Sequence, residues 1–174
     1  MSDLSPPRTR TYAWLDQRMD MAEVAKLDGL SFMQAMLAGR FPKPAIADTL
    51  DFNLLEVAKG FARFEGLPGE FAYNPLGTVH GGYAATLLDS CLGCAVHTAL
   101  PQGSAYTTVE LKVNYIRAMT AKTGKVVAEG RLIHLGGRIA TAEGRLLGAA
   151  DGRLYAHGST TCAVFPMQPA GVAA

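Results

Sequence analysis

Asp89 is the residue of this chain whose presence most needs a chemical explanation. It stands in the run Tyr83 to Val96, whose other members are nearly all apolar or small. An ionised carboxylate in apolar surroundings is costly unless it is paired, hydrogen-bonded or used. Used, it would be a general base or a nucleophile; unused, a structural acceptor. A second group precedes it. Asn74-Pro75 and Gly77 are turn signals, and His80-Gly81-Gly82 then leads without a breaker into helix-compatible sequence. A loop therefore delivers backbone N–H groups to a helix start.

The helix that must position both groups is apolar or small on almost every side, with Leu87, Leu88, Cys91, Leu92 and Val96 among its members. Such a helix is buried all round. Its exceptions, Thr86, Asp89, Ser90 and His97, recur with Gly93 at spacings of three or four and form one narrow stripe. Gly81 and Asp89 lie eight positions apart, roughly 12 Å along a helix at about 1.5 Å per residue. Within one chain they cannot both touch the same reacting atom.

The strands follow from alternation. Phe52 to Glu65 reads as one strand of mixed pattern. In Thr107 to Arg117, Val109, Leu111, Val113 and Tyr115 point to the core while Thr108, Glu110, Lys112 and Asn114 point away. Lys125 to Leu135 sets Val126, Ala128 and Leu132 against Lys125, Glu129 and Arg131. Gly136-Gly137 and Asp151-Gly152 read as two-residue hairpin turns requiring positive φ, which separate strands 125–135, 138–150 and 153–165 into an antiparallel meander. One buried helix with such strands makes an α+β domain in which a curved antiparallel sheet wraps the helix.

The spaced set N-x-x-G-x-x-H-G-G then A-x-L-x-D, here Asn74, Gly77, His80-Gly81-Gly82, Ala85, Leu87 and Asp89, resembles the hotdog-fold acyl-CoA thioesterases of the phenylacetate-degradation (PaaI-like) type. The resemblance continues through T-x-x-L-x-x-x-Y-x-R at Thr108 to Arg117 and G-G-R at 136–138, covering roughly 50 to 165. It implies a hotdog fold and hydrolysis of small, medium or aromatic acyl-CoA thioesters. It also implies a dimer, or a dimer of dimers, whose sites join the helix start of one subunit to the carboxylate of the other.

The resemblance gives Gly81 N–H the task of polarising the thioester carbonyl and Asp89 that of base or nucleophile. Asn74 orients water or thioester, His80 supports the oxyanion region, and Thr108 holds Asp89 or the water. Gly82, Arg117, Gly137 and Arg138 fall at substrate-binding positions, the arginines toward the coenzyme A phosphates. No cofactor is implied, coenzyme A being part of the substrate. Two alternatives are a hotdog hydratase or dehydratase, which needs a catalytic histidine paired with an acid, and a non-catalytic acyl-CoA-binding module.

The rest of the chain constrains partners. Its 174 residues suit one domain, and a net charge of +1 gives no reason to expect nucleic acid or an anionic membrane. Cys91-x-x-Cys94 has no second pair, and with Cys162 reads as small core residues and not a metal or redox site, in keeping with a reducing cytoplasm. No stretch is apolar enough to span a membrane, and the start lacks a signal-peptide core. Residues 1–49 read as a helical extension packed on the 50–166 domain. Ala13 to Gly39 is its helical pattern, broken at Asp28-Gly29, with Ser31 as N-cap and Gly39 as stop. Leu30, Phe32, Met33, Met36 and Leu37 would dock it or line an acyl pocket. Residues 167–174 read as a loose tail. His97, His134 and His157 have no partner readable from the sequence.

Overall fold

The computed structural model describes residues 6–16 and 18–167. The expectations for 1–5 and 168–174 lie outside them. Helices α1 (Met21–Val24), α2 (Gly29–Leu37) and α3 (Ala45–Leu50) precede strands β1 (Phe52–Ala58) and β2 (Phe61–Gly66). The long helix α4 (Gly81–His97) follows, then β3 (Ser104–Tyr115), β4 (Val126–Leu135), β5 (Ile139–Gly148) and β6 (Leu154–Pro166). The six strands form one antiparallel sheet in the order β1-β2-β4-β5-β6-β3. This sheet curves around α4, the arrangement of the hotdog fold.

Helix α4 starts where His80, with extended backbone, turns its Nδ1 to accept the Gly82 N–H at 2.9 Å. That cap satisfies one of the donors a helix start leaves unpaired. Along the helix, Thr86 Oγ1 donates to the Gly82 carbonyl and Ser90 Oγ to the Thr86 carbonyl, so the hydroxyls on the polar stripe are satisfied locally. Leu87, Leu88, Cys91, Leu92, Ala95 and Val96 are wholly buried against the sheet.

The close seat of the helix on the sheet has a backbone cause. Gly130, Gly144 and Gly158 are direct neighbours on β4, β5 and β6. A Cβ on Gly130 would overlap the Cys91 carbonyl and approach the Leu92 nitrogen at 2.9 Å; one on Gly144 would meet the Glu129 carbonyl oxygen at 2.5 Å and Leu92 Cδ2 at 3.0 Å. The helix therefore rests on bare sheet backbone along this row.

Several expectations need correction. Residues 52–65 are not one strand but a hairpin: Gly60, at φ 72°, turns the chain between β1 and β2. The N-cap of α2 is Asp28, whose Oδ1 accepts the Ser31 N–H at 2.8 Å, not Ser31. The 13–39 pattern forms only the short α1 and α2, and the sequence reading passed over α3, which starts at Pro44 as N-cap. The expected two-residue turns are longer connections. Gly136 and Gly137 do not have positive φ, and of the Asp151-Gly152 pair only Gly152 does.

The correction that matters most for the site is in β3. A bulge shifts the register between Thr108 and Glu110, leaving Val109 58% exposed. An extra residue reverses the side-chain parity of a strand. Leu111 and Val113 pack on the core as expected, but on the other side of the bulge it is Tyr106 and Thr108 that face the helix.

The extension docks through His97. Phe32 stacks on the imidazole at 5.0 Å between ring centroids and Tyr106 meets it edge-on at 5.5 Å, while the Gly29 N–H donates to the Leu100 carbonyl. Gly29 is needed because a Cβ there would overlap the His97 carbonyl. Burial holds His97 well below its ordinary value of 6.5, at about 4. Above about pH 6.5 the imidazole is neutral whether the chain is folded or not, but between 6.5 and 4 only the unfolded chain takes up the proton. Folding should therefore lose about 3 kcal/mol as the pH falls through that window. Urea midpoints of the wild type and of His97→Phe, compared at pH 7 and 4.5, check this; equal acid sensitivity of the two would contradict it.

Candidate active site

Asp89 is half-buried near the middle of α4, and Thr108 Oγ1 donates to its Oδ1 at 3.0 Å. The carboxylate forms part of the wall of a cavity of about 410 Å³. Ser90, Cys94, Tyr106, Thr108 and Phe64 share that side of the cavity, and Met33, Met36 and Leu37 of the extension line it as well. Lys43 also borders it, but its ammonium is held by Asp48 at 2.6 Å and Asn53 at 3.0 Å. Burial, then the charge of Asp89, pushes the Cys94 thiol up to about 12. Burial raises Cys91 too. Neither cysteine is a thiolate near neutral pH, and no cluster of three or more potential metal ligands exists among the described residues.

The helix start is a separate place. Asn74 closes the loop before it: Oδ1 accepts from Leu76 N–H at 2.9 Å and Thr78 N–H at 3.3 Å, and Nδ2 donates to Thr78 Oγ1 at 2.9 Å. With its side-chain amide turned into its own loop, Asn74 is placed as the residue that shapes the turn. Gly82 N–H is taken by the His80 cap, whereas Gly81 N–H, the first of the helix, has no acceptor among the described residues. The cap also makes Nδ1 of His80 the acceptor, which leaves Nε2 carrying the proton. Tyr115 lies over Gly81, where a Cβ would meet its ring at 3.0 Å. Gly81, Tyr115, Arg117, Met119 and Tyr155 border a second cavity of about 370 Å³.

The remaining sequence-selected residues divide between the two ends of β3. Arg117 follows its last residue, with its N–H bonded to the Tyr155 carbonyl. Gly137 and Arg138 sit in the β4–β5 connection, where the Arg138 carbonyl accepts from Val164, the partner of Tyr106. Tyr106 and Tyr115 mark these two levels, nine positions apart, or roughly 30 Å at strand rise. The two arginines therefore cannot grip one nucleotide within a single chain. Missed by the sequence reading were Tyr106, hidden by the bulge, and Tyr115 as the cover of Gly81. A shallow depression of about 450 Å³ on the outer face of the sheet, lined by Glu129, Arg131, Glu143, Arg145 and His157, includes neither Asp89 nor Gly81.

The family model described as the thioesterase superfamily matches residues 76–154, the span from the Asn74 loop through α4 to the start of β6. A phenylacetic acid degradation-related protein of Ralstonia eutropha has a similar structure, with a TM-score of 0.68 and 28% identity over 76% of this chain and 98% of that one. By this match and this likeness the chain resembles the PaaI-like hotdog thioesterases. This PaaI-like chain is also similar to a mutant form of the phenylacetic acid degradation protein PaaI from Thermus thermophilus (TM-score 0.62, 26% identity, 69% of this chain and 98% of that one). It is 37% identical over 86 residues to a Halobacterium salinarum protein named only provisionally as an esterase, of which the chain spans about half, 51%. No helix among the described residues of this PaaI-like chain is long and apolar enough to cross a membrane.

Proposed function

We propose that the protein hydrolyses acyl-CoA thioesters to free acid and coenzyme A, at sites shared between two copies of the chain. The observation that carries this reading is the pairing of two half-sites on one helix. A Thr108-bonded carboxylate borders an apolar cavity, and an unpaired N–H at a capped helix start lies roughly 12 Å away. Strand β3 is an unpaired edge of the sheet, and an edge strand is a template for another strand. Antiparallel pairing of β3 with its own copy sets the Thr108 end of each beside the Tyr115 end of the other. The Asp89 cavity of one copy then faces the Gly81 helix start of the second, which also removes the conflict between Arg117 and Arg138.

In that arrangement Gly81 N–H, at the positive end of the helix dipole, polarises the thioester carbonyl. Asp89 either takes a proton from water as the water attacks or attacks the carbonyl itself, and Thr108 orients the carboxylate. The C–S bond breaks and the sulfur leaves as coenzyme A thiol, taking up the proton that water gives up; where Asp89 attacks, the mixed anhydride it forms is then hydrolysed by water, which releases the acid and frees the carboxylate. A hydratase is less well supported. His80, its candidate base, spends Nδ1 on the helix cap and lies exposed, with no carboxylate bonded to it among the described residues.

The test follows release of free thiol from a panel of acyl-CoAs. Asp89→Ala should be nearly inactive, and so should Asn74→Ala, which unpins the loop that presents the Gly81 N–H. Unfolded and refolded together they should regain activity, since each mixed dimer has one site with both halves intact. Mixed dimers confirmed by mass but without activity would exclude the shared site.

A further inference from the structure

Helices α2 and α3 precede the span, residues 76–154, that the thioesterase family model matches. Yet α2 is no loose appendage. It carries its own apolar cluster of Val24, Phe32, Met33, Ala35 and Phe41, and it is pinned by the Phe32–His97 stack and the Gly29–Leu100 hydrogen bond. That docking holds Met33, Met36 and Leu37 against the same cavity that Asp89 and Thr108 border.

We propose that the N-terminal extension selects the acyl group, with Met36 as the wall that sets how long a chain the Asp89 cavity accepts. This rests on the thioester-hydrolysing reading above. Met33 is 2% exposed and fixed within the docking cluster, whereas Met36 is only partly buried at the cavity. A thioether side chain with three rotatable bonds yields to straight chains of differing length. The charges bordering the cavity exclude an acid-bearing acyl group. Asp89 would repel a second carboxylate, and the Lys43 ammonium is neutralised by Asp48. The substrate class is accordingly the uncharged, apolar acyl-CoAs of medium length, with acetyl too small to fill about 410 Å³ and succinyl-like groups rejected.

The experiment measures kcat/KM over straight-chain acyl-CoAs from acetyl to dodecanoyl, with succinyl-CoA included, for the wild type, Met36→Ala and Met36→Phe. Binding of the matching non-hydrolysable thioether analogues is titrated in parallel, and thermal unfolding verifies that each variant is folded. Met36→Ala should move the preferred length upward and Met36→Phe downward, each changing the long-to-short ratio by about tenfold, the scale of a few methylenes in an apolar pocket. Hydrolysis with the same optimum in all three proteins, or efficient turnover of succinyl-CoA, overturns the proposal while leaving thioester hydrolysis standing. Absence of hydrolysis with shifted analogue preference overturns the hydrolase reading and leaves the extension as selector. No hydrolysis and no shift in analogue preference overturns both.

Discussion

Replacing Asp89 by Asn should lower kcat by about 10²- to 10⁴-fold, the usual loss when a general base is removed, with KM little changed. The amide oxygen can still accept from Thr108 Oγ1, so the hydrogen bond at 3.0 Å in the wild type has a counterpart in the variant. The substitution removes only the charge and the basicity. Because a charge facing an apolar cavity usually costs stability, the variant should unfold at the wild-type temperature or above it, a common trade at functional sites. Thiol release and a thermal unfolding curve on the same preparation check both halves. Wild-type turnover on any good substrate would exclude Asp89 as base and as nucleophile.

The second large effect concerns the fold. Gly130→Ala should destabilise the protein by about 3 kcal/mol or more, at the upper end for overpacking, because the obstacle is main chain and cannot change rotamer. The added methyl would overlap the Cys91 carbonyl, so helix and sheet must separate along the row that Gly130 shares with Gly144 and Gly158. Gly137→Ala is the control: nothing lies within 4 Å of its Cβ position and its φ is not positive, so its stability should stay within about 0.5 kcal/mol of the wild type. Urea midpoints measure both. A Gly130→Ala protein as stable as the control would mean that the helix is not seated on bare backbone.

The central helix was legible because local chemistry specifies it. A turn-rich loop, a capping histidine before two glycines and an unbroken apolar run together mark Gly81–His97, and the charge of Asp89 within that run marks a residue needing an explanation. The β4–β5–β6 meander was legible too, since alternation and glycine-bearing connections are local signals.

What local signals do not carry is register and neighbourhood. One extra residue at Val109 decides that Thr108 faces Asp89 instead of solvent, and a bulge leaves no mark in an alternating pattern until the partner strand is known. Pairing in space puts Gly130, Gly144 and Gly158 in one row, although they lie fourteen positions apart in the chain. The apolar residues of α2 could be read as docking or as lining, because burial against the body and exposure to a cavity ask for the same side chains. Only the seat of Phe32 on His97 decides that Met36 ends at the cavity. By itself the sequence determined the helix, its carboxylate and its N–H-bearing start; the tertiary structure decided which strand, which side of that strand and which part of the extension stand around the carboxylate, because those depend on contacts between residues far apart in the chain.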